Sequence, residues 1–306
     1  MPYKIIFMGT PEFSVPVLEI LAKSSYQISC VYTQPPKKSN RGQKINPCPI
    51  ENSAKNLKLI IRNPNNLNTD KELKFFKELD PDIVVVVAYG QLIPKKFLDI
   101  PSKGFVNIHA SLLPKWRGAA PIQRSIMNLD QQTGISIMKI KEELDSGPVM
   151  KKIEINISPH DTSGTISEKL SKIGSKYIVE ALDDIFNEKA RFIEQDHSNS
   201  TYAKKIKKNE TKINWSENAQ DIIGKINGLN PDPGAWFEYK KKRYKIWKAS
   251  VLDKIGPGGT ILNNNFIIGC KDKSIKIIEI QREGKNKLLL ENFLLGFNFK
   301  TGDIIE

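Results

Sequence analysis

Apolar residues fall into two textures along the 306 residues of the chain. In the first part they form short, continuous, β-branched runs: 4–9 (KIIFMG), 28–33 (ISCVYT), 59–61, 83–89 (IVVVVAY) and 105–110 (FVNIHA). Segments with helical spacing, such as 15–21 and 70–79, lie between them. Strands that are apolar on both faces and alternate with helices predict a parallel sheet covered on both sides. Residues 135–140 and 149–157 flank the turn Asp145-Ser146-Gly147-Pro148. Residues 163–187 have helical spacing, with Ser163 as the expected N-cap, and close this part. The predicted fold class is α/β, a Rossmann-like parallel sheet domain over residues 1–189.

The second texture begins after a polar, aperiodic stretch at 190–205 (ARFIEQDHSNSTYAKK), which is expected to be a linker. Beyond it, one amphipathic segment (218–229) precedes short strand-like runs at 235–239, 243–252, 259–262, 266–269, 275–281 and 288–293, with Gly, Pro and Asn between them. Many short strands with a single helix predict a small β-barrel of the oligonucleotide-binding type over 206–306. Trp236 and Trp247, as strand aromatics, are expected to pack inward.

Composition narrows the classes of function. Forty-seven Lys and Arg against 34 Asp and Glu leave a net charge of +13, which fits either a polyanionic partner or lysines spread over solvated faces. Three scattered cysteines with no CxxC pair or Cys/His cluster indicate neither a disulfide framework nor a zinc site, and no metal is expected. The chain starts directly on a strand-like run, and no apolar stretch approaches the roughly 20 residues of a membrane span. A soluble, cytoplasmic protein without a membrane partner is expected, and a monomer.

The first strand ends on a lone Gly9 rather than G-x-G-x-x-G, and no acidic residue follows the second strand, so NAD is not expected. In open α/β sheets ligands still lie at the carboxyl ends of strands, which directs attention to the residues after Tyr89 and to 105–118. Strand alternation puts Asn107 and His109 on one face, where an amide and an imidazole converge. Of the three histidines, His160 and His197 are expected at the surface, leaving His109 as the candidate for chemistry. On turn chemistry alone Asp145 suits a structural role.

Asn107, His109, the run Ser111-Leu112-Leu113-Pro114 with Gly118, and Asp145 downstream resemble the signature of folate-dependent formyltransferases. Gly9-Thr10-Pro11-Glu12-Phe13, Val85 to Gly90, Trp116 to Arg124, Asp161 to Thr165, Tyr202 to Lys205 and Ile213-Asn214-Trp215 are similar to the methionyl-tRNA formyltransferases in particular. The resemblance runs from the first strand to about residue 262. It implies acyl transfer from 10-formyltetrahydrofolate to the α-amino group of initiator methionyl-tRNA, with Asn107, His109 and Asp145 as the catalytic set. Asn107 and a ring N–H of His109 would stabilise the oxyanion, and Asp145 would orient His109 or accept protons. Tyr89, Gly90, Leu92, Ser111, Leu112, Leu113 and Pro114 are the implied folate contacts.

The basic loop 34–49 carries Lys37, Lys38, Arg41 and Lys44 and resembles the family's acceptor-stem loop, with Arg41 as the expected main contact. Lys204, Lys205, Lys207, Lys208, Lys241 and Arg243 form a second basic set expected to meet tRNA phosphates. Two other readings stay open on the residues alone. One is a formyltransferase for a small amine, glycinamide ribonucleotide or an amino-sugar nucleotide; the other is a non-catalytic RNA-binding protein.

Overall fold

The computed structural model describes residues 2–39 and 44–306. The chain opens as β1 (Lys4–Gly9), α1 (Val15–Ala22), β2 (Gln27–Tyr32), β3 (Lys37–Ser39) and β4 (Lys44–Asn46). It continues through α2 (Pro49–Asn56), β5 (Ile61–Arg62), α3 (Asp70–Glu78), β6 (Ile83–Val87), α4 (Lys95–Leu98), β7 (Phe105–His109) and β8 (Arg117–Gly118). After α5 (Pro121–Met127) come β9 (Gln132–Lys139), β10 (Val149–Asn156), α6 (Ser163–Phe186) and β11 (Tyr202–Ala203). Two compact units emerge, the first made of Met1–Ala119, Thr133–Ile155 and Ser167–Ala203.

The seven-stranded sheet of the first unit has the order β10-β9-β7-β6-β1-β2-β5. Pairs β1–β2, β1–β6, β2–β5 and β6–β7 are parallel, and β7–β9 is antiparallel. Every residue of β6 is buried, as expected of an apolar strand covered on both faces. Because β2 lies on one side of β1 and β6 on the other, the chain reverses direction across the sheet between β1 and β6, which opens a crevice at their carboxyl ends. The predicted helix at 70–79 forms as α3, with the Thr69 hydroxyl accepting from the Glu72 amide as its N-cap. The strand expected to reach Tyr89 stops at Val87, because Ala88 (φ 49°) and Gly90 (φ 78°) turn left-handed.

Residues 190–203, expected as linker, belong to this unit. Ile193 exchanges two backbone hydrogen bonds with Val149, and β11 runs parallel to β8. The stretch is aperiodic because it is held by scattered bonds rather than by one packed face.

The second unit comprises Ala120–Gln132, Asn156–Ile166 and Lys204–Glu306. Its further elements are α7 (Ala219–Gly228), β12 (Ala235–Tyr239), β13 (Lys242–Leu252), β14 (Ile267–Gly269), β15 (Ser274–Arg282), β16 (Leu288–Leu289) and α8 (Leu290–Leu294). The strands form a five-stranded antiparallel sheet ordered β12-β13-β15-β14, with β16 on β15. This half-barrel encloses Ile222, Ile226, Phe237, Tyr244, Ile246 and Ile277. Gly224 and Gly228 share a face of α7 and let it close on α5, since a Cβ at Gly228 would sit 2.6 Å from Met127 Cγ. The expected strand at 259–262 is reduced to bridges at Thr260 and Ile261, and most of the one expected at 288–293 is helix α8. Ser163 is the first residue of α6 rather than its cap: the Thr162 hydroxyl accepts from the Thr165 amide, while the Ser163 hydroxyl donates to Asn230 O.

Candidate active site

Asn107 and His109 close β7, two residues apart on one face, at the carboxyl edge of the sheet. His109 is only 6% exposed and is gripped on two sides. Its Nε2 lies 2.9 Å from Trp116 O, and since a carbonyl only accepts, Nε2 carries a proton. Its Nδ1 faces Asp145 Oδ2 at 3.5 Å. Both ring nitrogens therefore point at protein oxygens, whereas the Asn107 side-chain amide has no hydrogen-bond partner among the described residues.

Asp145 occupies the turn between β9 and β10 with φ 49°, a left-handed conformation for a non-glycine residue. Its Oδ2 accepts from the Gly118 amide at 2.8 Å. Gly118 itself has φ 115°, and a Cβ there would come within 3.0 Å of Ala203 O. Gly147 packs still more closely, since a Cβ would fall 1.9 Å from Lys139 O. The turn thus needs glycine for close backbone approach, and it holds the carboxylate over β7.

The facing wall is built at the β1/β6 crevice. Thr10 Oγ1 and Gln34 Nε2 both donate to Tyr89 O, at 2.8 and 3.1 Å, and Ser14 Oγ donates to Val87 O at 2.6 Å. The Tyr89 side chain is buried and its hydroxyl has no hydrogen-bond partner among the described residues. Burial pushes this phenol, like that of Tyr32, well above its ordinary pKa.

Among the residues expected to touch folate, the side chains of Tyr89, Ser111 and Leu113 are buried, and the Ser111 hydroxyl donates to Lys115 O. These three shape the loops from behind and present no side chain at an open face. Leu112 and Pro114 are half-buried, Gly90 is exposed, and Leu92 is 81% exposed, so these four offer surface to a ligand. A cavity of about 370 Å³ lies at the opposite end of β7, around Phe105, Lys139, Ile185 and Phe192, and no candidate catalytic residue lines it. Among the described residues no cluster of three or more His, Cys, Asp or Glu could hold a metal, and no helix is long and apolar enough to cross a membrane.

Sequence reasoning missed the stretch around Gln195. Arg117, 2% exposed, donates from Nε and Nη2 to Gln195 Oε1 at 3.1 and 2.7 Å, and Nη2 lies 3.2 Å from His197 Nδ1. Thr201 Oγ1 accepts from the Trp116 amide. The sequence signals near it were the family-like motifs Trp116 to Arg124 and Tyr202 to Lys205, with none at Gln195 itself.

The basic residues Lys204, Lys205, Lys207, Lys208, Lys241 and Arg243 are exposed in the second unit. Trp236 and Trp247, expected inward, are half-exposed instead. Strict alternation in β12 sends Ala235, Phe237 and Tyr239 to the core and Trp236 outward. There the Arg243 guanidinium stacks on Trp236 at 4.2 Å, Lys212 approaches the same ring at 5.7 Å, and Lys245 lies over Trp247 at 5.3 Å. Lys37, Lys38 and Lys44 lie on the antiparallel pair β3–β4, and Arg41 lies outside the described residues.

Residues 3–182 match the formyl transferase family, and residues 205–298 match the formyl transferase C-terminal domain. The chain is 54% identical to a methionyl-tRNA formyltransferase of Pelagibacter ubique (strain HTCC1062) over 100% of its own length and 99% of the relative's. It is 42% identical to a methionyl-tRNA formyltransferase of Jannaschia sp. (strain CCS1), over 99% of this chain and 100% of that one. Its fold is shared with WlaRD, a sugar 3N-formyl transferase solved with dTDP and 5-N-formyl-THF, at a TM-score of 0.67 and 20% identity, over 94% of this chain and 100% of that one. A methionyl-tRNA formyltransferase from Clostridium thermocellum has the same fold at a TM-score of 0.59 and 18% identity, over 81% and 93% of the two chains. The chain belongs to the formyl transferase family, in its methionyl-tRNA formyltransferase branch.

Proposed function

We propose that the protein transfers the formyl group of 10-formyltetrahydrofolate to the α-amino group of methionine esterified to initiator tRNA, for translation initiation. The reading is carried by one arrangement: the His109–Asp145 pair, 3.5 Å apart, beside the unpartnered Asn107 amide at the carboxyl edge of the sheet. Transfer forms a bond between the amino nitrogen and the formyl carbon and breaks the bond from that carbon to N10 of the folate. The formyl oxygen bears negative charge in between, and the Asn107 N–H groups are its donors. The amine gives up a proton and N10 gains one. Asp145 Oδ1 makes no hydrogen bond among the described residues, while Oδ2 is tied to Gly118, so Oδ1 is the free oxygen for that proton. Charge arriving on the pair is spread by the His109 ring held between Asp145 and Trp116 O.

Gly90, Leu92, Leu112 and Pro114 are our candidates for folate contacts, because they offer surface. Lys204, Lys205, Lys207, Lys208, Lys241 and Arg243, which are exposed, are our candidates for tRNA phosphate contacts, and Lys37, Lys38, Arg41 and Lys44 for the acceptor stem. Purified protein, methionyl initiator tRNA and 10-formyltetrahydrofolate should give formylmethionyl-tRNA. Absence of that product, with formylation of glycinamide ribonucleotide or an amino-sugar nucleotide instead, would overturn the assignment.

A further inference from the structure

We propose that Gln195, braced by Arg117, is a positioning residue that sets the Asp145 carboxylate for transfer; the proposal rests on the catalytic role given to Asp145 above. Gln195 is 8% exposed and uses its full amide. Nε2 donates to Asp145 O at 2.9 Å and to Gly147 O at 2.7 Å. Oε1 accepts both Arg117 bonds. A guanidinium only donates and carbonyls only accept, so this orientation of the amide is the one that satisfies all four contacts.

The two carbonyls flank the catalytic turn. Asp145 sits in a left-handed conformation, one that aspartate tolerates better than most non-glycine residues but that still needs its surroundings to hold it. Gln195 supplies two such constraints. It makes no hydrogen bond to His109 or Asn107 among the described residues, and its link to the reacting groups is through Asp145.

General support of the fold is carried elsewhere. The segment bearing Gln195 is fastened at both ends by backbone bonds, Ile193 with Val149 and Tyr202–Ala203 with Arg117–Gly118. These survive a change of the Gln195 side chain. What such a change removes is the registration of the turn against Gly118, whose amide anchors Asp145 Oδ2 at 2.8 Å. Displacements on the order of 1 Å at a reacting group cost about 10²-fold in rate.

Gln195→Glu isolates this effect. The carboxylate keeps an acceptor for Arg117 but turns an oxygen on the carbonyls of Asp145 and Gly147. The expected result is a kcat lower by roughly 10- to 100-fold with KM for both substrates nearly unchanged, read at a temperature where the variant is fully folded, since two buried carbonyls facing an oxygen also lower the melting temperature. In an Asp145→Asn background the same change should cost little more, because residues acting through one group are non-additive. Arg117→Lys, which cannot fork onto Oε1, repeats the test by a route that leaves Gln195 in place and should show the same non-additivity. Normal kcat in a folded variant of either kind, or losses that multiply with Asp145→Asn, overturns the proposal. A normal kcat for Asp145→Asn alone would instead sink the role of Asp145, and an impaired Asp145→Asn beside a fully active Gln195→Glu sinks only the positioning role.

Discussion

Asp145→Asn separates the charge of Asp145 from its shape. The Gly118 amide donates to Oδ2, so the asparagine turns its carbonyl oxygen to that position and keeps the 2.8 Å bond. The same atom position faces His109 Nδ1 at 3.5 Å, so an oxygen remains there too, but without its negative charge. The nitrogen that replaces Oδ1 cannot take up the proton of the amine, so the variant loses its general base, which costs about 10²–10⁴ in rate. We expect kcat to fall by about 10³-fold in single-turnover formylation with both substrates saturating. Affinity for tRNA and thermal stability should stay close to wild type, because every hydrogen bond of the turn is retained. A fall of less than tenfold, or a loss expressed mainly as weaker tRNA binding, would refute the reasoning, since neither outcome is compatible with a charge acting only in the transition state.

Two further outcomes follow from other parts of the molecule. Arg243→Ala should weaken tRNA binding and reduce the slope of log affinity against log salt by about 0.7–0.9, one phosphate contact, while kcat at saturating tRNA stays the same; an unchanged slope refutes a phosphate role for the arginine stacked on Trp236. Burial pushes the Cys30 and Cys270 thiols up to about 12, so native protein holds these protons while the unfolded chain releases them above the ordinary thiol range. Their contribution to stability is complete below that range and is lost as pH rises toward about 12, by at most about 1.4 kcal/mol per pH unit for each thiol. Urea unfolding at pH 8 and pH 10.5 should show a steeper loss for wild type than for a Cys30→Ala, Cys270→Ala variant, and equal losses would refute the assignment.

How much of this was legible in the sequence depended on the kind of force involved. Continuous apolar runs identified β1, β6 and β7 because burial on both faces leaves no other pattern, and alternation alone paired Asn107 with His109. Trp236 shows a legible signal overruled by a general preference: Ala235, Phe237 and Tyr239 share the inward face, so alternation already required Trp236 to face out. Residues 288–294 (LLLENFL) are too short for periodicity to be decisive, and the i, i+3, i+4 spacing of Leu290, Phe293 and Leu294 was the helical signal in what formed mostly as α8. Asp145 was identified by resemblance, since nothing local distinguishes it from an ordinary turn aspartate. Gln195 was invisible for a different reason: a side chain bonded to distant carbonyls leaves no period, and a polar stretch held that way reads as a linker.

The backbone around the site explains why such remote bonds should matter. Each of the three loops that meet at the carboxyl edge contains one non-glycine residue at positive φ: Ala88 (49°), Trp116 (62°) and Asp145 (49°). Each conformation costs on the order of 1–3 kcal/mol and must be held by its neighbours. Val87 and Tyr89, on either side of Ala88, are tied through their carbonyls to Ser14 and Thr10; Trp116 is tied through its carbonyl to His109 and its amide to Thr201; Asp145 is tied through its carbonyl to Gln195. Those ties keep three strained turns in one arrangement before any substrate binds, so the donors and the carboxylate need no reorganisation when charge develops. Cutting one tie lets a single loop relax by the strain it stores, which is comparable to the free energy of a tenfold or hundredfold change in rate. Sensitivity to substitutions at Gln195 or Thr201 is therefore a consequence of how the edge of the sheet is folded, and it should appear in kcat.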